Sequence, residues 1–471
     1  MKFDFISTIY GSIAVNFKQA NLSELCVEKS GIQTGPFGSQ LHQKDYVKIG
    51  TPIITVEHLG ENRILHSDTP CVSEQDCNRL SKFKLKKGDI VFSRVGSVDR
   101  RAIVRDEENG WLFSGRCLRV RPDTEKVDAE YLSYFFGLES FKSYVRSIAV
   151  GATMPSINTK ILSSLPIFYP EINTQKKIAF ILSTLDNKIE LNKKINQTLE
   201  SIAQAIFKSW FVDFDPVHAK ANVQSEDEYD AIAKELGISR EILDLFPSEF
   251  EESELGLIPK GWEFNNLSNF ITVIKGKSYK SSELQPSSTA LVTLKSFLRG
   301  GGYRLDGLKQ YGGKYKSEQE VKPGELIIAY TDVTQNADVI GKPAIIIEDK
   351  NIETLVASLD VGIVRVIKEH FSIGYLFYYF KTELFQNYIL GYTSGTTVLH
   401  LSKNWIVNHS ILTPPQNIIE KFDDFCRNVF KKVNENIQET NTLEDIKTLL
   451  LPKLLSGEID VSNLNLEPEN D

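Results

Sequence analysis

The chain is poor in the residues from which catalytic and metal sites are built. Its seven histidines are dispersed, with no HExxH pattern and no neighbouring Cys/Asp pattern, so we predict no metal site. The five cysteines show no CxxC spacing, which favours reduced thiols in a cytoplasmic protein. No apolar run approaches the length of a membrane span, and the amino terminus lacks the pattern of a secretion signal.

Segments that resemble nucleotide or methyl-transfer motifs are incomplete. Residues 34–39 (TGPFGS) form a glycine-containing loop without the GK[ST] ending of a P-loop, and we predict a structural turn there. Residues 275–278 (KGKS) lack the upstream glycine. Residues 413–416 (TPPQ) lack both the first Asn/Asp and the final aromatic residue of the amino-methyltransferase motif. We therefore do not expect this chain to be an enzyme by itself.

The charge is unevenly distributed along the chain. The formal net charge is −8, but residues 213–260 alone hold thirteen acidic and four basic residues. The remainder of the chain is therefore close to neutral, at +1. Because local patches decide binding more than the total does, the negative sum does not exclude a nucleic-acid partner.

A long helix is predicted between residues 174 and 210, which contain neither glycine nor proline. Apolar and amide residues alternate there at spacings of four and three, as in the a/d seam of a coiled coil. At 1.5 Å per residue the helix would be about 55 Å long, too long for the core of one compact domain. The seam consists of Ile178, Leu182, Leu185, Ile189, Asn192, Asn196, Leu199, Ala203, Ile206 and Trp210.

A second segment, beginning at residue 421, carries a matching seam that we expect to pair antiparallel with the first. Residues 118–217 match the chain 244 residues further on without a gap; Tyr131, for example, matches Tyr375. At this period the repeating unit is a domain plus a helix. The second seam consists of Phe422, Cys426, Val429, Val433, Asn436, Thr440, Leu443, Leu450 and one charged residue, Lys447.

The residues predicted to pair the helices are taken from both seams. Equivalent asparagines could fix the register of the pair, or could be solvated breaks in a loose seam, and the sequence leaves both possibilities open. The predicted pairing residues are Ile189, Asn192, Leu199 and Ile206 in the first helix and Val433, Asn436, Leu443 and Leu450 in the second.

These patterns predict an α+β fold. Two globular domains of mixed α and β content are separated by two long antiparallel coiled-coil helices, with a pseudo-two-fold internal repeat. The predicted segments are a first domain (1–170), a first long helix (171–212), an acidic connector (213–254), a second domain (255–415), a second long helix (416–456) and a carboxy-terminal tail (457–471). The connector is predicted to hold one short helix, residues 226–236.

The first domain contains a basic segment between two predicted strands. Short β-branched runs at residues 50–56, 88–94, 101–105 and 117–122 predict strands, and residues 127–147 predict a helix. Residues 79–105 hold nine Lys/Arg and two Asp, which is either a solvated basic face or a surface for DNA phosphates with a loop at the groove floor. The candidate DNA-binding residues here are Lys82, Lys84, Lys86, Lys87, Arg94, Ser97, Arg100 and Arg101.

The second domain repeats the strand pattern around a different loop. Residues 323–330 and 341–347 stand where the strands 88–94 and 101–105 stood. Two domains that recognise different DNA sequences would need the same scaffold with different loops. A serious alternative is that this loop is only a polar turn at the end of a strand. The candidate DNA-binding residues of this loop are Thr331, Asp332, Thr334 and Gln335.

Together these features resemble the specificity (S) subunits of type I restriction–modification systems. The resemblance covers nearly the whole chain. Its local marks are GDIVFSRVGS, the junction from GATMPSIN to LPIFYPEINTQKKIAFILSTLDNKIE, the connector FVDFDPV…LFPSEF…ELGLIPKGWE, and LLLPKLLSGEIDV at the end of the second helix. The globular domains would then be target-recognition domains.

The resemblance implies a DNA sequence-recognition subunit that performs no chemistry. It would bind a bipartite, asymmetric double-stranded DNA target as part of a type I endonuclease and adenine-N6 methyltransferase complex. Its implied partners are two methyltransferase (M) subunits and the restriction (R) subunits, with no membrane. S-adenosylmethionine, ATP and Mg would be bound by those partners, and no cofactor by this chain.

Two other classes of function are alternatives. A self-contained DNA-modifying enzyme is disfavoured because no catalytic motif is present. A coiled-coil scaffold that binds only proteins would leave the basic segment as ordinary surface. Binding to DNA pools distinguishes the scaffold from the DNA reader.

Overall fold

The computed structural model describes residues 4–223, 225–253, 256–334, 336–368, 370–395 and 398–465. The chain divides into two compact units. Unit 1 comprises residues 1–191 and 439–471, and unit 2 comprises residues 192–438. In the described part of the chain, no helix combines the length and the apolar character that crossing a membrane requires.

Unit 1 contains the following elements. Its strands are β1 (Phe5–Thr8), β2 (Gly11–Ala14), β3 (Lys18–Asn21), β4 (Ile32–Thr34), β5 (Tyr46–Val47), β6 (Thr51–Ile54), β7 (Cys71–Val72), β8 (Ile90–Ser93), β9 (Arg101–Ile103), β10 (Leu112–Phe113), β11 (Cys117–Val120) and β12 (Pro166–Tyr169). Its helices are α1 (Glu74–Arg79), α2 (Ala129–Phe135), α3 (Glu139–Ile148), α4 (Thr159–Ser163) and the first part of α5 (Ile172–Phe211).

Unit 2 contains the rest of α5 and a second set of elements. Its strands are β13 (Phe250–Ser253), β14 (Gly256–Pro259), β15 (Glu263–Asn266), β16 (Ile271–Lys275), β17 (Thr289–Val292), β18 (Lys309–Gln310), β19 (Glu320–Val321), β20 (Leu326–Ala329), β21 (Thr331–Asp332), β22 (Pro343–Ile345), β23 (Thr354–Ala357), β24 (Val361–Val366), β25 (Leu399–His400) and β26 (Ser410–Thr413). Its helices are α6 (Asp215–Ala221), α7 (Glu226–Glu235), α8 (Arg240–Asp244), α9 (Ile373–Lys381), α10 (Glu383–Gly391), α11 (Lys403–Val407) and most of α12 (Gln416–Ser456), which ends in unit 1.

The two units share the topology of one antiparallel sheet. In unit 1 a four-stranded antiparallel sheet has the order β4-β11-β8-β9, and in unit 2 the order is β16-β24-β20-β22. Each unit also has a second four-stranded sheet with one parallel pair, β6 with β10 and β17 with β23. The strands predicted at residues 50–56, 88–94, 101–105 and 117–122 are confirmed as β6, β8, β9 and β11.

The repeat extends further towards the amino terminus than the sequence comparison indicated. In the hairpin β1–β2 the second strand begins at Gly11, and in its counterpart β13–β14 the second strand begins at Gly256, 245 residues later. Both glycines have positive φ, 105° and 113°, which residues with a side chain adopt rarely. The antiparallel pairs β3–β12 and β15–β26 correspond in the same way. The repeated unit therefore begins at the first described strand.

The single helix predicted at residues 127–147 is wrong, because the structure has two helices, α2 and α3. The helix is interrupted around Gly137, where an added Cβ would lie 2.2 Å from Nη2 of Arg101. Arg101 is 2% exposed, and its Nε donates to the carbonyl of Ser133 at 3.1 Å. The helix is interrupted so that this guanidinium can pack inside unit 1.

The connector is more structured than predicted. The expected helix at residues 226–236 is confirmed as α7, but α6 and α8 flank it, so the prediction of a single helix is wrong. Val217 is fully buried in the apolar cluster that also contains Trp210, and Leu243 is fully buried as well. Lys220 links α6 to α8, since its ammonium donates to the carbonyls of Leu243, Asp244 and Phe246 at 3.4, 3.1 and 2.6 Å.

The long helices pair along the predicted seams. Every seam position of both helices is buried or half-buried, which confirms the heptad pattern. In unit 1, Lys188 pairs with Glu439 at 3.3 Å. In unit 2, the Asn192 side chain donates to the carbonyl of Asn436 at 3.5 Å, and the Asn436 side chain donates to Oδ1 of Asn196 at 2.7 Å. The contacts run in opposite directions along the two helices, as expected for an antiparallel pair.

An arginine–carboxylate pair beside the main sheet recurs in both units. Arg121 donates to both carboxylate oxygens of buried Asp89 at 2.6 Å, and Arg365 forms an ion pair with Glu325. The first pair is the more buried, with Asp89 at 1% side-chain exposure against 25% for Glu325.

We expect Asp89→Ala to cost about 3–5 kcal/mol of unfolding free energy, because the guanidinium of Arg121 would lose the carboxylate that compensates its charge. Glu325→Ala, the matched variant of unit 2, is expected to cost less, since water screens that pair. Urea unfolding of both variants measures the difference. Equal losses would contradict the assignment of the effect to burial.

Candidate nucleic-acid interface

We call residues 82–87 of unit 1 the lysine segment, and they lie beside strand β11. Lys82, Lys86 and Lys87 are exposed and Lys84 is half-buried. Lys87 pairs with Asp106 at 2.7 Å, while Lys82 stands 4.9 Å from the ring centroid of Phe83. The segment therefore presents three ammonium groups to solvent, one of them already neutralised.

Arg119 of β11 and Arg121, just after its end, bind the backbone of this segment. Arg119 donates to the carbonyl of Lys82 at 3.4 Å and Arg121 donates to that of Lys84 at 3.2 Å. Arg119 is 1% exposed, and burial together with neighbouring Arg121 lowers its pKa to about 10. The hydrogen bonds from the two arginines therefore fix the backbone that bears the lysines. A fixed backbone favours a preorganised binding surface over a mobile charged loop.

The structure separates the two parts of the predicted DNA surface. The lysine segment precedes β8, whereas Arg94 follows it. β8 has four residues, about 13 Å at 3.3 Å per residue. The lysines and Arg94 therefore lie at opposite ends of one strand and do not form a single patch.

Several loops meet at the Arg94 end of the sheet, and we call residues 35–40, 94–100, 114–116 and 150–156 the loop cluster. The amide of Gly96 donates to the carbonyl of Pro155 at 2.9 Å, which joins two of these loops. An added Cβ at Gly35 would lie 2.2 Å from the carbonyl oxygen of Ser114, and one at Gly115 would lie 2.5 Å from that of Pro36. Only glycine permits this approach, so the loops are locked together.

The locked loops present an aromatic ring and two guanidinium groups. Phe37 is 62% exposed, and the Arg94 guanidinium stands 5.9 Å from its ring centroid. Arg94 also donates to the carbonyl of Gly115 at 3.2 Å. Arg116 is exposed, and no carboxylate among the described residues forms an ion pair with it. An apolar ring between cationic donors is a suitable surface for base edges and phosphates.

The remaining predicted residues of this loop have mixed positions. Ser97 is exposed, and its carbonyl accepts from the amide of Arg100 at 3.2 Å. Arg100 donates to the carbonyl of Leu59. Arg101 is buried and pairs with Glu61 at 2.6 Å, so we remove it from the candidate DNA contacts. It was indistinguishable from its neighbours in a basic stretch, and only its inward direction on β9 sets it apart.

In unit 2 the predicted loop begins as a strand. Thr331 and Asp332 form β21, which pairs with β25, and both are buried. Thr331 donates to Oδ1 of Asp360 at 3.0 Å. The Asp332 carboxylate accepts three backbone amides, from Thr334 at 2.6 Å, Val339 at 2.6 Å and Ile340 at 3.0 Å. Asp332 therefore organises the turn, and we no longer assign it to a cytosine contact.

The other predicted residues of this loop are nearer the surface. Thr334 is half-buried, and its hydroxyl accepts from the amide of Asp338 at 2.9 Å. Gln335 lies outside the described residues. Val333 is 69% exposed and was not predicted as a contact.

Unit 2 also holds a glycine against a neighbouring carbonyl oxygen, but the exposed side chains beside it differ. A Cβ on Gly276 would lie 2.1 Å from the carbonyl oxygen of Ser358, as at Gly35. The residue two positions further is Ser278 where unit 1 has Phe37. Elsewhere in unit 2, the rings of Tyr392 and Trp405 stack with centroids 3.8 Å apart and are each about two-fifths exposed. The same scaffold thus carries different side chains in the two units, and the exposed residues beside Gly276 are Lys275, Ser278 and Lys280.

One group of side chains could hold a metal ion, although the sequence predicted no metal site. His66, Glu107 and Glu108 bring potential ligand atoms within 4.8 Å of one another. Glu108 is already engaged, since it hydrogen-bonds His66 Nε2 at 2.5 Å and accepts the amide of Arg105 at 2.7 Å. These hydrogen bonds explain the arrangement without an ion.

The sequence reasoning missed Phe37 and Arg116. The available signal was the segment TGPFGS, which we interpreted as a structural turn. The turn is present, but its phenylalanine faces solvent. Arg116 lies outside the basic segment, in a turn between β10 and β11 that only the fold places beside Arg94.

Known proteins with similar sequences are specificity subunits. Residues 16–201 match the family described as the type I restriction modification DNA specificity domain. The chain is 29% identical over 438 residues to the type I restriction enzyme HindI specificity subunit of Haemophilus influenzae, covering 84% of this chain and 92% of that protein. It is 29% identical over 404 residues to the MjaIX specificity subunit of Methanocaldococcus jannaschii, covering 83% and 82%.

A solved structure shares the fold. The crystal structure of the S subunit of a type I restriction–modification system from M. genitalium matches with a TM-score of 0.56 over 93% of this chain and 96% of that chain. The sequences are 14% identical, so this likeness concerns the fold alone. The chain is thus similar to type I restriction–modification specificity subunits over more than four-fifths of its length, and residues 16–201 match their DNA specificity domain.

Proposed function

We propose that this chain is the DNA sequence-recognition subunit of a type I restriction–modification complex and carries out no chemistry itself. Unit 1 and unit 2 each read one half of a bipartite, asymmetric double-stranded target. The loop cluster of unit 1 and the corresponding loops of unit 2 carry the base contacts. The lysine segment of unit 1 binds phosphate.

The observation that supports this proposal is the repeated scaffold with divergent loops. Both units have the same strand order in their four-stranded antiparallel sheet, a glycine held against a neighbouring carbonyl, and an arginine–carboxylate pair. At corresponding places Phe37 becomes Ser278 and Arg116 becomes Asp360, and Val333 is exposed in the loop that replaces residues 94–97. A duplicated enzyme would be expected to repeat its chemistry, whereas a reader of two different half-sites needs the same frame with different contacts.

The proposed partners are two methyltransferase subunits and the restriction subunits. S-adenosylmethionine, ATP and Mg would be bound by those partners and not by this chain. Each unit contains an equivalent part of α5 and α12, on which one of two identical partners could dock. The protein-only scaffold remains the alternative, and DNA binding decides between them.

The decisive experiment is selection from a random DNA pool by the chain assembled with methyltransferase subunits. We expect two conserved half-sites separated by a spacer of fixed length. Exchanging residues 255–415 for those of a related subunit should change one half-site and leave the other unchanged. No enrichment, or a change in both half-sites, would contradict the proposal.

A further prediction concerns the lysine segment. Lys82→Ala and Lys86→Ala should weaken binding to all sequences alike, each reducing the slope of log K against log salt by about 0.9. Lys84→Ala should have a smaller effect, because Lys84 is half-buried. Lys18→Ala, which removes an exposed lysine paired with Glu171 at 2.7 Å, is the control. Unchanged slopes in both lysine variants would exclude the segment as a phosphate contact.

A further inference from the structure

Among the residues that the structure describes, the part of the α5–α12 seam that lies in unit 1 contains one largely buried ion pair. Lys447, the charged residue of the second seam, donates to Oδ1 of Asp186 at 2.6 Å. The other carboxylate oxygen of Asp186 accepts from the hydroxyl of Tyr134 at 2.8 Å. The side chains of Lys447 and Asp186 are 16% and 10% exposed. The charge in this apolar seam is therefore compensated by one specific partner.

The repeat places apolar residues at the corresponding positions of unit 2. Shifted by 244 residues, Tyr134 and Asp186 become Tyr378 and Phe430, and Lys447 becomes Ala203. The rings of Tyr378 and Phe430 stack, with centroids 6.2 Å apart. Ala203 is fully buried in the cluster against which Phe430 packs. One repeat thus has acid facing base, and the other has a large side chain facing a small one.

The repeated sequence also creates alternative pairings. Asn192 and Asn436 occupy equivalent positions and contact each other, so the seam has the same centre in both helices. The α5 helices of two copies of this chain could pair antiparallel around Asn192 with most seam contacts preserved. The same holds for two α12 helices around Asn436. In such a pair, a helix of one chain would pack against the same helix of a second chain instead of against the other long helix of its own chain.

The ion pair penalises both alternatives. Between two α5 helices, Asp186 would face Ala203 of the second copy, and a buried carboxylate would lose its cation. Between two α12 helices, Lys447 would face Phe430 of the second copy, and the ammonium would be buried beside an aromatic ring without an acid. An uncompensated buried charge costs far more than an exchange of apolar contacts. Side-chain volume is mismatched too, because Asp186 would face the small Ala203 and Lys447 would face the large Phe430.

We propose that Asp186 and Lys447 make the α5–α12 surface heterotypic, so that each helix rejects a second copy of itself and the two repeats of one chain pair with each other. The pair acts on the choice of partner more than on stability. Its replacement by apolar residues of suitable volume preserves the fold and removes the choice.

The test compares the wild type with D186F/K447A, which gives unit 1 the residues found in unit 2. A protease site is inserted in the full chain between Asn222 and Glu226, and the folded protein is cleaved into an amino-terminal fragment (N) and a carboxy-terminal fragment (C). Two preparations with different mass labels are mixed in mild denaturant, which is then removed. Native mass spectrometry measures the complexes. Mixed-label N·C complexes show that exchange is complete, and stoichiometry is read from that point.

For the wild type we expect N·C complexes alone. For D186F/K447A we expect N·N and C·C complexes as well, approaching the statistical ratio, with an unchanged thermal midpoint. Abundant homotypic complexes in the wild type, or N·C complexes alone in the double variant, would overturn the proposal.

Single and reversed variants separate pairing specificity from packing. K447A alone should lower the folding equilibrium constant on the order of 100-fold or more, because it leaves Asp186 buried without its cation. The reversed pair D186K/K447D restores opposite charges and should recover N·C complexes alone. Homotypic complexes in the reversed variant would show that charge complementarity does not select the partner.

Discussion

Arg94→Ala is expected to relax sequence preference in one half of the DNA target, at a cost of about 1–3 kcal/mol, and to leave the other half unchanged. Arg94 lies where four loops of unit 1 meet, beside the exposed ring of Phe37. Its guanidinium has one hydrogen bond to protein, to the carbonyl of Gly115, and keeps further donors for a base. The preferred sequence is measured by pool selection with the assembled complex.

Two further variants identify the cause. Arg94→Lys keeps the charge but loses the planar fork, so it should lose half-site preference while retaining the salt dependence of binding. Phe37→Ala removes a ring that contributes nothing to the core, and it should weaken the same half-site without lowering the unfolding temperature. Intact preference in Arg94→Ala, or equal losses in both half-sites, would refute the assignment.

Asp332→Ala is expected to destabilise unit 2 by about 3 kcal/mol, because three backbone amides lose a charged acceptor. Asp332→Asn should be nearly as harmful, since an amide nitrogen would replace one of the two accepting oxygens. Asn336→Ala changes an exposed residue of the same loop and should leave stability unchanged. Urea unfolding measures all three. If Asp332 instead read a base, its replacement would alter one position of the target and spare the unfolding free energy.

The same carboxylate predicts a pH dependence. Burial opposes ionisation of Asp332, but hydrogen bonds from the amides of Thr334, Val339 and Ile340 outweigh it and lower the pKa below the usual 3.8. A lowered pKa means that the stabilisation is complete above the unfolded-state pKa, near 4, and is lost as pH falls through the folded-state value. The difference in unfolding free energy between wild type and Asp332→Ala should therefore be constant from pH 7 to pH 5 and shrink in more acidic solution. A difference that grew in acid would contradict this.

The sequence alone predicted the features that depend on periodicity. The 4–3 spacing of apolar residues fixed both long helices and their seams, since a helix presents one face every 3.5 residues. Alternation and turn residues located β8, β9, β11 and their repeats. The 244-residue register predicted two units of one topology. Lys447 stood out as a charge in an apolar seam, but its partner Asp186 lay one position beyond the predicted seam residue Leu185.

Side-chain direction was decided by tertiary structure. Arg94, Arg100 and Arg101 belong to one basic stretch, yet Arg101 points inward to Glu61 because Gly137 leaves room for it. Asp332 belongs to a polar turn, yet its carboxylate faces amides of the following loop. Phe37 and Arg116 meet Arg94 only because glycines let three loops touch. Local sequence determines spacing along the chain and hence helices, strands and repeats, whereas which charge is buried and which ring is exposed depends on contacts between distant segments that only the folded packing supplies.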